Sequence, residues 1–381
     1  MAIASLVERS AELKRELLEF SWQPRFDRDR RNVLKDYFPD GIVGDEPDLT
    51  IALDYFLLQH ELRSGKTVVE RFAANRQDLT EHERAMLLGW RDVVEGIFEV
   101  KRRDGDALVL ENLIDELTYH VHSNMGPTVF DPLKSGSFMI GRLVPIGQEW
   151  LVSGNLACYP KSDRIALHRI AYEIAMRYPQ RVFRNPDKLA RAQQLQRTHH
   201  EQFVKFFGAD FVVIPGAQLT ERMRSFYNFC RERTEAELAA SGRQPTNLPF
   251  QAPVYPPDLV ASEAVAVLHD EIEGLGLYAD FGMVEEVFAD PSLLRQPEYR
   301  RRVRDYLDDP TVPPLLFVRM AARDPGCINQ VFRRLLGRKH FDWAIDGEEL
   351  MRRRKPDYFD HVRLPRIVPL SDKLARYAST A

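Results

Sequence analysis

GIFEVKRR (96–103), ALVLENL (107–113), LTYHVHS (117–123), SFMIGRLVPI (137–146) and QEWLVSGNLACY (148–159) form the stretch of the sequence that decides the fold. Each segment is rich in β-branched and aromatic residues, and turn-forming residues separate one segment from the next. The Asp104-Gly105 pair suits the positive φ values of a tight hairpin turn. Five short antiparallel strands between residues 96 and 160 predict a small barrel of the SH3-like or OB-like type.

The sequence before this stretch is helical in pattern. Leu6, Leu13 and Leu17 recur at helical intervals and predict an amphipathic helix between residues 2 and 20. Thr80 followed three residues later by Glu83 is a capping box and predicts the start of a helix that leads into the first strand.

The sequence after the strands returns to a helical pattern with clear start signals. Asn185-Pro186 combines a capping side chain with a proline in the first turn. Asp290-Pro291, Asp309-Pro310 and Asp324-Pro325 each precede an apolar run and predict three further helix starts. The predicted class is therefore α+β, a mainly helical chain with an inserted five-stranded antiparallel small barrel.

Crowded prolines mark the best domain boundary. Five prolines lie between residues 243 and 258, too many for a helix or for a strand inside a sheet. The sequence predicts five parts: a helical N-terminal region (1–95), the barrel (96–160), a helical region packing on the barrel (161–242), a proline-rich linker (243–257) and a helical C-terminal domain (258–381).

Composition and charge exclude several protein classes. The net charge of −4 provides no global attraction to nucleic acid or to an anionic membrane. Cys158, Cys230 and Cys327 are widely spaced and fit neither a disulfide framework nor a metal knuckle. The N-terminal segment lacks the apolar core of a signal peptide, and no stretch is apolar enough to cross a membrane. We expect a soluble, cytoplasmic protein without a membrane partner.

Local charge indicates one candidate binding surface. Between Lys161 and His200 nine basic residues stand against three acidic residues, a local charge of +6. Phosphate contacts need such clustering, and aromatic side chains on a neighbouring barrel can stack on bases. The alternative is a solvated helix face balanced by the acidic C-terminal domain. The candidate binding residues are Arg177, Arg181, Arg184, Lys188, Arg191, Arg197, Phe138 and Trp150.

Histidines supply the candidate metal ligands. His120 and His122 are two apart on a strand, so both project from one face and could bind one ion, although a metal site needs further ligands. Paired histidines on a strand are more often surface or packing residues. His199, with Asp210 beyond the helix end, is a second candidate, but its place on an apolar stripe favours a partly buried packing role. His269 opens the run HDEIEG, which resembles a solvated helix end because the HExxH spacing is absent.

Four segments carry a resemblance to known proteins. GIFEV (96–100), GRLVPIGQEWLVSG (141–154), HHEQFVKFFGAD (199–210) and PTVPPLLFVRMAARDP (310–325) resemble, in this order, a group of uncharacterised bacterial proteins. Some of those proteins carry a terminal SEC-C zinc-binding motif. This chain lacks the clustered cysteines that the motif needs, so the resemblance implies lineage and not zinc binding.

The sequence lacks the common catalytic motifs, and this decides which function we favour. The sequence has no GxGxxG after a strand, no P-loop, no GxSxG elbow and no CxxC, and it predicts no cofactor. We favour a non-enzymatic cytoplasmic binding or adaptor protein whose partner is a protein or a nucleic acid, contacted through the barrel and the 161–200 segment. The alternatives are a metal-dependent hydrolase and a structural subunit of a larger assembly. The oligomeric state stays open.

Overall fold

The computed structural model describes residues 3–40, 46–240, 242 and 253–377. The α-helices are Ile3–Ser21 (α1), Asp27–Tyr37 (α2), Glu46–Leu58 (α3), Val68–Asn75 (α4), Glu81–Gly89 (α5), Arg164–Arg177 (α6), Pro179–Val182 (α7), Pro186–Phe207 (α8), Gly216–Ala240 (α9), Pro257–Ala261 (α10), Gly282–Ala289 (α11), Pro297–Asp308 (α12), Pro314–Arg323 (α13), Pro325–Leu336 (α14), Trp343–Arg354 (α15), Pro356–Asp360 (α16) and Asp372–Ala375 (α17). The strands are Val94–Asp104 (β1), Ala107–Asn112 (β2), Thr118–His122 (β3), Phe138–Ile146 (β4), Glu149–Tyr159 (β5), Phe211–Ile214 (β6), Val265–Asp270 (β7) and Gly274–Tyr278 (β8). Short 3₁₀ helices lie at Pro24–Phe26, Pro127–Phe130, Lys161–Asp163 and Pro291–Arg295.

The chain divides into two compact units. The first unit comprises Met1–Lys188 and Leu370–Ala381, and the second comprises Leu189–Pro369. The boundary falls within α8, inside the region predicted as 161–242. The five-part division stays a prediction, and residues 243–252 of the predicted linker lie outside the described residues. Among the helices that the structure describes, none combines the length and the apolar character needed to cross a bilayer.

Strands β1 to β5 form one sheet in the first unit, here called the closed sheet. Its hydrogen-bonded order β1-β2-β3-β5-β4 returns to β1. Every pairing is antiparallel except that of β3 with β5, where Val121 and His122 pair in parallel with Trp150 and Leu151. The predicted α+β class and the five strands are confirmed, but the prediction of an all-antiparallel sheet is wrong. The long connection of residues 123–137 allows β5, the second strand of the β4–β5 hairpin, to pair with β3 in parallel. The residue pattern within each strand does not reveal this pairing.

The closed sheet has apolar residues on both of its faces. Phe98, Tyr119 and Leu143 belong to the core that the strands share among themselves. Val144 and Leu151, on β4 and β5, instead pack with the buried faces of the N-terminal helices α1, α3, α4 and α5. Because alternate residues of a strand project to opposite faces, β4 and β5 serve both cores.

Most predicted helix starts are confirmed. Thr80 forms the capping box with Glu83 at the start of α5. Asn185 accepts two backbone hydrogen bonds at the start of α8, and the side chains of Asp290 and Asp324 cap the helical turns that follow them. The predicted start at Asp309 is wrong, because Asp309 is the C-cap of α12 and the next helix begins at Pro314.

A second sheet, β6-β7-β8, is antiparallel and lies in the second unit. Ala266 and Leu268 face one apolar core, while Val265 and Val267 face another. A strand buried on both faces shows a continuous apolar run instead of alternation, so its periodicity does not reveal a strand. The helical pattern of residues 258–381 did not predict β7 and β8. The interpretation of His269 as part of a solvated helix end is wrong, since His269 lies on β7 with no exposed surface.

Candidate functional site

Lys14 of α1, Asp54 of α3 and Ser153 of β5 meet in the first unit. Asp54 Oδ1 accepts hydrogen bonds from Lys14 Nζ at 2.5 Å and from Ser153 Oγ at 2.7 Å. Lys14 Nζ also donates to Ser153 Oγ at 2.9 Å. The packing of α1 and α3 on the outer side of β4 and β5 brings together residues from three distant parts of the chain.

Arg142 of β4 extends this group into a line of alternating charges, here called the charge chain. Its Nε donates to Asp54 Oδ2 at 2.9 Å, and its Nη1 pairs with Glu95. The second oxygen of Glu95 accepts from Arg181 of α7 at 2.6 Å. Lys14, Asp54, Arg142, Glu95 and Arg181 together carry three positive and two negative charges, so the charge chain has a net charge of +1.

Asp54 keeps its negative charge although it is buried. Burial alone would raise the pKa of its carboxyl, but the charges of Lys14 and Arg142 and the hydrogen bonds from Lys14 and Ser153 lower the pKa below its usual value. Both oxygens of Asp54 have donors, and the Ser153 hydroxyl donates to a carboxylate. Lys14 Nζ donates one hydrogen bond to this carboxylate and one to the hydroxyl oxygen. Among the described residues, the hydrogen-bond partners of Ser153 Oγ are the Asp54 carboxylate and Lys14 Nζ.

A cavity of about 360 Å³ lies beside Lys14, Asp54 and Ser153. Trp90 lines the cavity and is fully buried, and its indole Nε1 has no hydrogen-bond acceptor among the described residues. The Lys14 ammonium lies 5.5 Å from the centre of the Trp90 ring. The lining residues are Ala11, Lys14, Arg15, Leu18, Thr50, Leu53, Asp54, Leu57, Trp90, Asn124, Val144, Leu151, Val152, Ser153 and Gly154. We call this space the α1–β5 cavity.

The basic residues predicted to bind a partner are largely engaged in ion pairs. Arg181 pairs with Glu95, and Arg184 pairs with Asp92 at 2.6 Å. Lys188 Nζ lies 3.1 Å from Glu116 Oε1, an ion pair by distance whose geometry provides no hydrogen bond. Their positive charges are therefore balanced locally by acidic groups of the first unit.

The remaining predicted basic residues are exposed. The Arg177 guanidinium lies 5.5 Å from the centre of the Tyr178 ring. Arg191 and Arg197 lie on the part of α8 that belongs to the second unit. The predicted basic segment is thus divided between two units and is not a single described surface.

The two aromatic residues predicted to stack on bases are both part of the packing. Phe138 is fully buried and contacts the His168 ring, with 5.9 Å between the ring centres. Trp150 is half-buried, lies edge-on to Tyr119, and is covered by the Arg184 guanidinium 5.4 Å from its ring centre. Phe138 therefore has no face open to a base.

Two of the residues predicted as metal ligands, His122 and Asp210, have other partners. His122 Nε2 pairs with Glu149, and Asp210 pairs with Arg319 at 2.7 Å. Within the part of the chain that the structure describes, no group of three or more His, Cys, Asp and Glu residues could hold a metal ion. Metal binding at His120 and His122 stays a prediction.

His199, which is half-buried, and His269, which is buried, form a pair in the second unit. His199 Nδ1 and His269 Nε2 are 2.8 Å apart, and His200 Nδ1 donates to the His269 carbonyl at 2.9 Å. Burial, with the nearby rings of His199 and His200, lowers the pKa of His269 to about 3, and burial also lowers the pKa of His199. Both rings are neutral at pH 7. His269 Nδ1 faces the Asp270 carbonyl at 3.2 Å and carries the proton, so His269 Nε2 accepts from His199.

Sequence reasoning missed the cavity residues, but two signals were present. Asp54 is the only charged residue in the apolar run IALDYFLL (51–58), and Arg142 is the only one in SFMIGRLVPI (137–146). A lone charge within an apolar run must find a partner when the run is buried. Lys14, Trp90 and Ser153 carry no comparable signal, because each fits an ordinary helix or strand pattern.

Comparison with known protein families gives a match to part of the chain. Residues 31–207 match the model of DUF7986, a family of unknown function. The matched range contains Asp54, Trp90, Arg142 and Ser153 but not Lys14. No curated protein and no solved structure matches the chain. The resemblance to bacterial proteins with a SEC-C motif stays a prediction.

Proposed function

We propose that this protein is a non-enzymatic binding protein that holds a small molecule in the α1–β5 cavity. The observation that carries the proposal is the buried Trp90 N–H, which lies in a residue that lines the cavity and has no acceptor among the described residues. A buried donor without an acceptor costs free energy, and a ligand that brings an acceptor removes this cost. The volume of about 360 Å³ lies within the range of small-molecule sites.

The closed sheet supports a binding role for the first unit. We propose that it is a barrel of the OB-like type, since a five-stranded closed sheet with a parallel pairing fits a Greek-key arrangement. Helices α1, α3 and α5 cover its β4–β5 side, so the ligand lies between helices and strands and not on an exposed strand face. The free thiols of Cys158, Cys230 and Cys327 support a reducing, cytoplasmic setting.

Nucleic acid is the less favoured partner. Arg181, Arg184 and Lys188 are paired with acidic residues, so a phosphate backbone would have to displace those partners. We expect no electrophoretic retardation of RNA or DNA, even at low salt. Retardation that weakens as salt rises would return the nucleic-acid hypothesis to first place.

The ligand proposal is tested by filling the cavity. Ala11 lines it from α1, so Ala11→Leu places three extra carbons in the space that a ligand needs. The probes are phenylbutyrate, phenylbutanol and phenylbutylamine, which share one apolar body. We expect saturable calorimetric binding of at least one probe to the unaltered protein, and a loss of about tenfold or more in Ala11→Leu.

Ala166→Leu is the matched control, because Ala166 is exposed on α6 and does not line the cavity. It should bind the probes like the unaltered protein. The proposal is wrong if no probe binds saturably, or if Ala11→Leu folds and binds as well as the control.

A further inference from the structure

We infer that the ligand of the α1–β5 cavity is a small carboxylate with an apolar body. The inference rests on the proposed function and goes beyond it by naming the chemistry of the ligand. Its first support is the supply of donors. Trp90 offers an N–H without an acceptor, and Lys14 uses two of its three N–H groups on Asp54 and Ser153 within the described residues. Both residues line the cavity.

The acceptor atoms of Asp54 and Ser153 each already have a hydrogen-bond donor. Asp54 Oδ1 accepts from Lys14 and Ser153, and Asp54 Oδ2 accepts from Arg142. The Ser153 oxygen accepts from Lys14 while its own proton goes to Asp54. A ligand that brings a donor would compete with these bonds, whereas a ligand that brings an acceptor meets the third N–H of Lys14, which has no acceptor among the described residues.

The charge of the wall favours an anion. The charge chain has a net charge of +1, and its Lys14 end lies at the cavity. Arg15 is exposed, also lines the cavity, and has no ion-pair partner among the described residues. Two cations, only one of them paired with Asp54, therefore face the ligand. A carboxylate gains charge-assisted hydrogen bonds here, while an ammonium meets like charge.

The rest of the cavity wall is apolar except for Thr50 and Asn124, and it favours a ligand with an apolar body. Its aliphatic residues are Leu18, Leu53, Leu57, Val144, Leu151 and Val152. Burial of an apolar body against such a wall is the main source of affinity for small ligands, and the few polar groups fix the orientation. A polyanion such as a nucleotide does not match this division, because the donors lie in one small part of the wall.

Calorimetry with the three phenylbutyl probes tests the inference, since they differ only in their head group. We expect phenylbutyrate to bind about tenfold tighter than phenylbutanol, as one added charge-assisted hydrogen bond predicts, and phenylbutylamine to bind most weakly. Lys14→Met should weaken phenylbutyrate binding by about tenfold and leave phenylbutanol nearly unchanged. Lys14→Arg keeps the charge and should retain the preference for the carboxylate.

The controls separate the possible failures. Lys35→Met makes the same change at an exposed position of α2 and should alter neither affinity. If Lys14→Met does not fold, Arg15→Gln at the exposed position provides the readout, with an expected loss of about threefold for phenylbutyrate alone. Equal binding of all three probes, abolished by Ala11→Leu, would overturn the carboxylate inference and keep the cavity as a binding site. Saturable binding of none would overturn the proposed function itself.

Discussion

The two units bury polar groups in opposite ways. In the first unit Asp54 stays charged, because Lys14 and Arg142 contact it and lower the pKa of its carboxyl. In the second unit His269 is neutral, because it is buried beside His199 and His200, which offer no opposite charge. The neighbours of a buried group, and not burial alone, therefore decide whether it keeps its charge.

This difference matters for function. The charge chain of the first unit holds Lys14 and Ser153 at the wall of a cavity that Trp90, whose N–H has no acceptor among the described residues, also lines. In the second unit the donor of His199 meets the acceptor of His269, so this hydrogen bond is complete between the two rings. We propose that the first cluster recognises a ligand, whereas the second contributes to the packing of a core.

The largest expected effect is at the centre of the charge chain. Arg142→Met removes a buried cation and leaves Asp54 and Glu95 without one of their partners, so we expect a loss of about 3 kcal/mol or more in the free energy of unfolding. Urea unfolding measures this loss. Arg102→Met is the matched control on the same sheet, because the Arg102–Asp104 pair is exposed and should change stability by less than about 1 kcal/mol. Equal losses in the two variants would show that the stability provided by the charge chain does not depend on the burial of its charges.

Lowering the pH should reduce the stability contributed by the buried groups of the two units by different amounts. The pKa of His269 is lowered to about 3, so as the pH falls the unfolded chain takes up a proton before the folded chain does. The contribution of His269 is complete above about pH 6.5 and is lost between there and about pH 3, with about 2 kcal/mol gone at pH 5. The pKa of Asp54 is also lowered, so its contribution is lost as the pH falls from the ordinary pKa of a carboxyl toward the lower pKa of the folded state.

Amide hydrogen exchange at pH 7 and pH 5, corrected for intrinsic rates, measures this effect separately for each sheet. The amides of β7 should be less protected at pH 5 than at pH 7, and the protection of β4 should change much less. His269→Leu should remove most of the pH dependence, whereas His82→Leu, at an exposed position of α5, should leave it in place. An unchanged pH dependence in a folded His269→Leu protein would contradict the assignment.

The smallest expected effect is at the outer end of the charge chain. The side chains of Arg181 and Glu95 are each about one third exposed, so solvent screens their attraction. Arg181→Met should therefore cost about 1 kcal/mol or less in urea unfolding, clearly below Arg142→Met. A loss as large as that of Arg142→Met would show that Arg181 also holds α7 in place by some other means.

Local signals in the sequence predicted much of the fold. The capping box at Thr80 and the turn at Gly105, whose φ is +59°, depend on residues close in the chain, and both are confirmed. The parallel pairing of β3 with β5 depends on how a long connection crosses the sheet, which no local pattern encodes. Strand β7 is buried on both faces, so its sequence lacks the alternation of apolar and polar residues that identifies a strand.

The candidate site was harder to predict than the fold. Asp54 lies 40 residues after Lys14 and 99 residues before Ser153 in the sequence. Only the packing of the fold makes these three side chains neighbours. The count of charges between residues 161 and 200 did not include acids elsewhere in the sequence, such as Asp92 and Glu95, which pair with Arg184 and Arg181. Counting charge along a segment does not show which charges are balanced in space.

The Trp90 indole N–H signal tests the central claim most directly. In a ¹⁵N-labelled sample the indole signals of the four tryptophans are resolved as a small set, and Trp90→Phe assigns the signal of Trp90. During titration with phenylbutyrate this signal should move downfield and saturate, because the N–H gains an acceptor, while the exposed Trp22 signal stays in place. A Trp90 signal that does not move while the ligand binds, or that moves only together with all the others, would contradict the account.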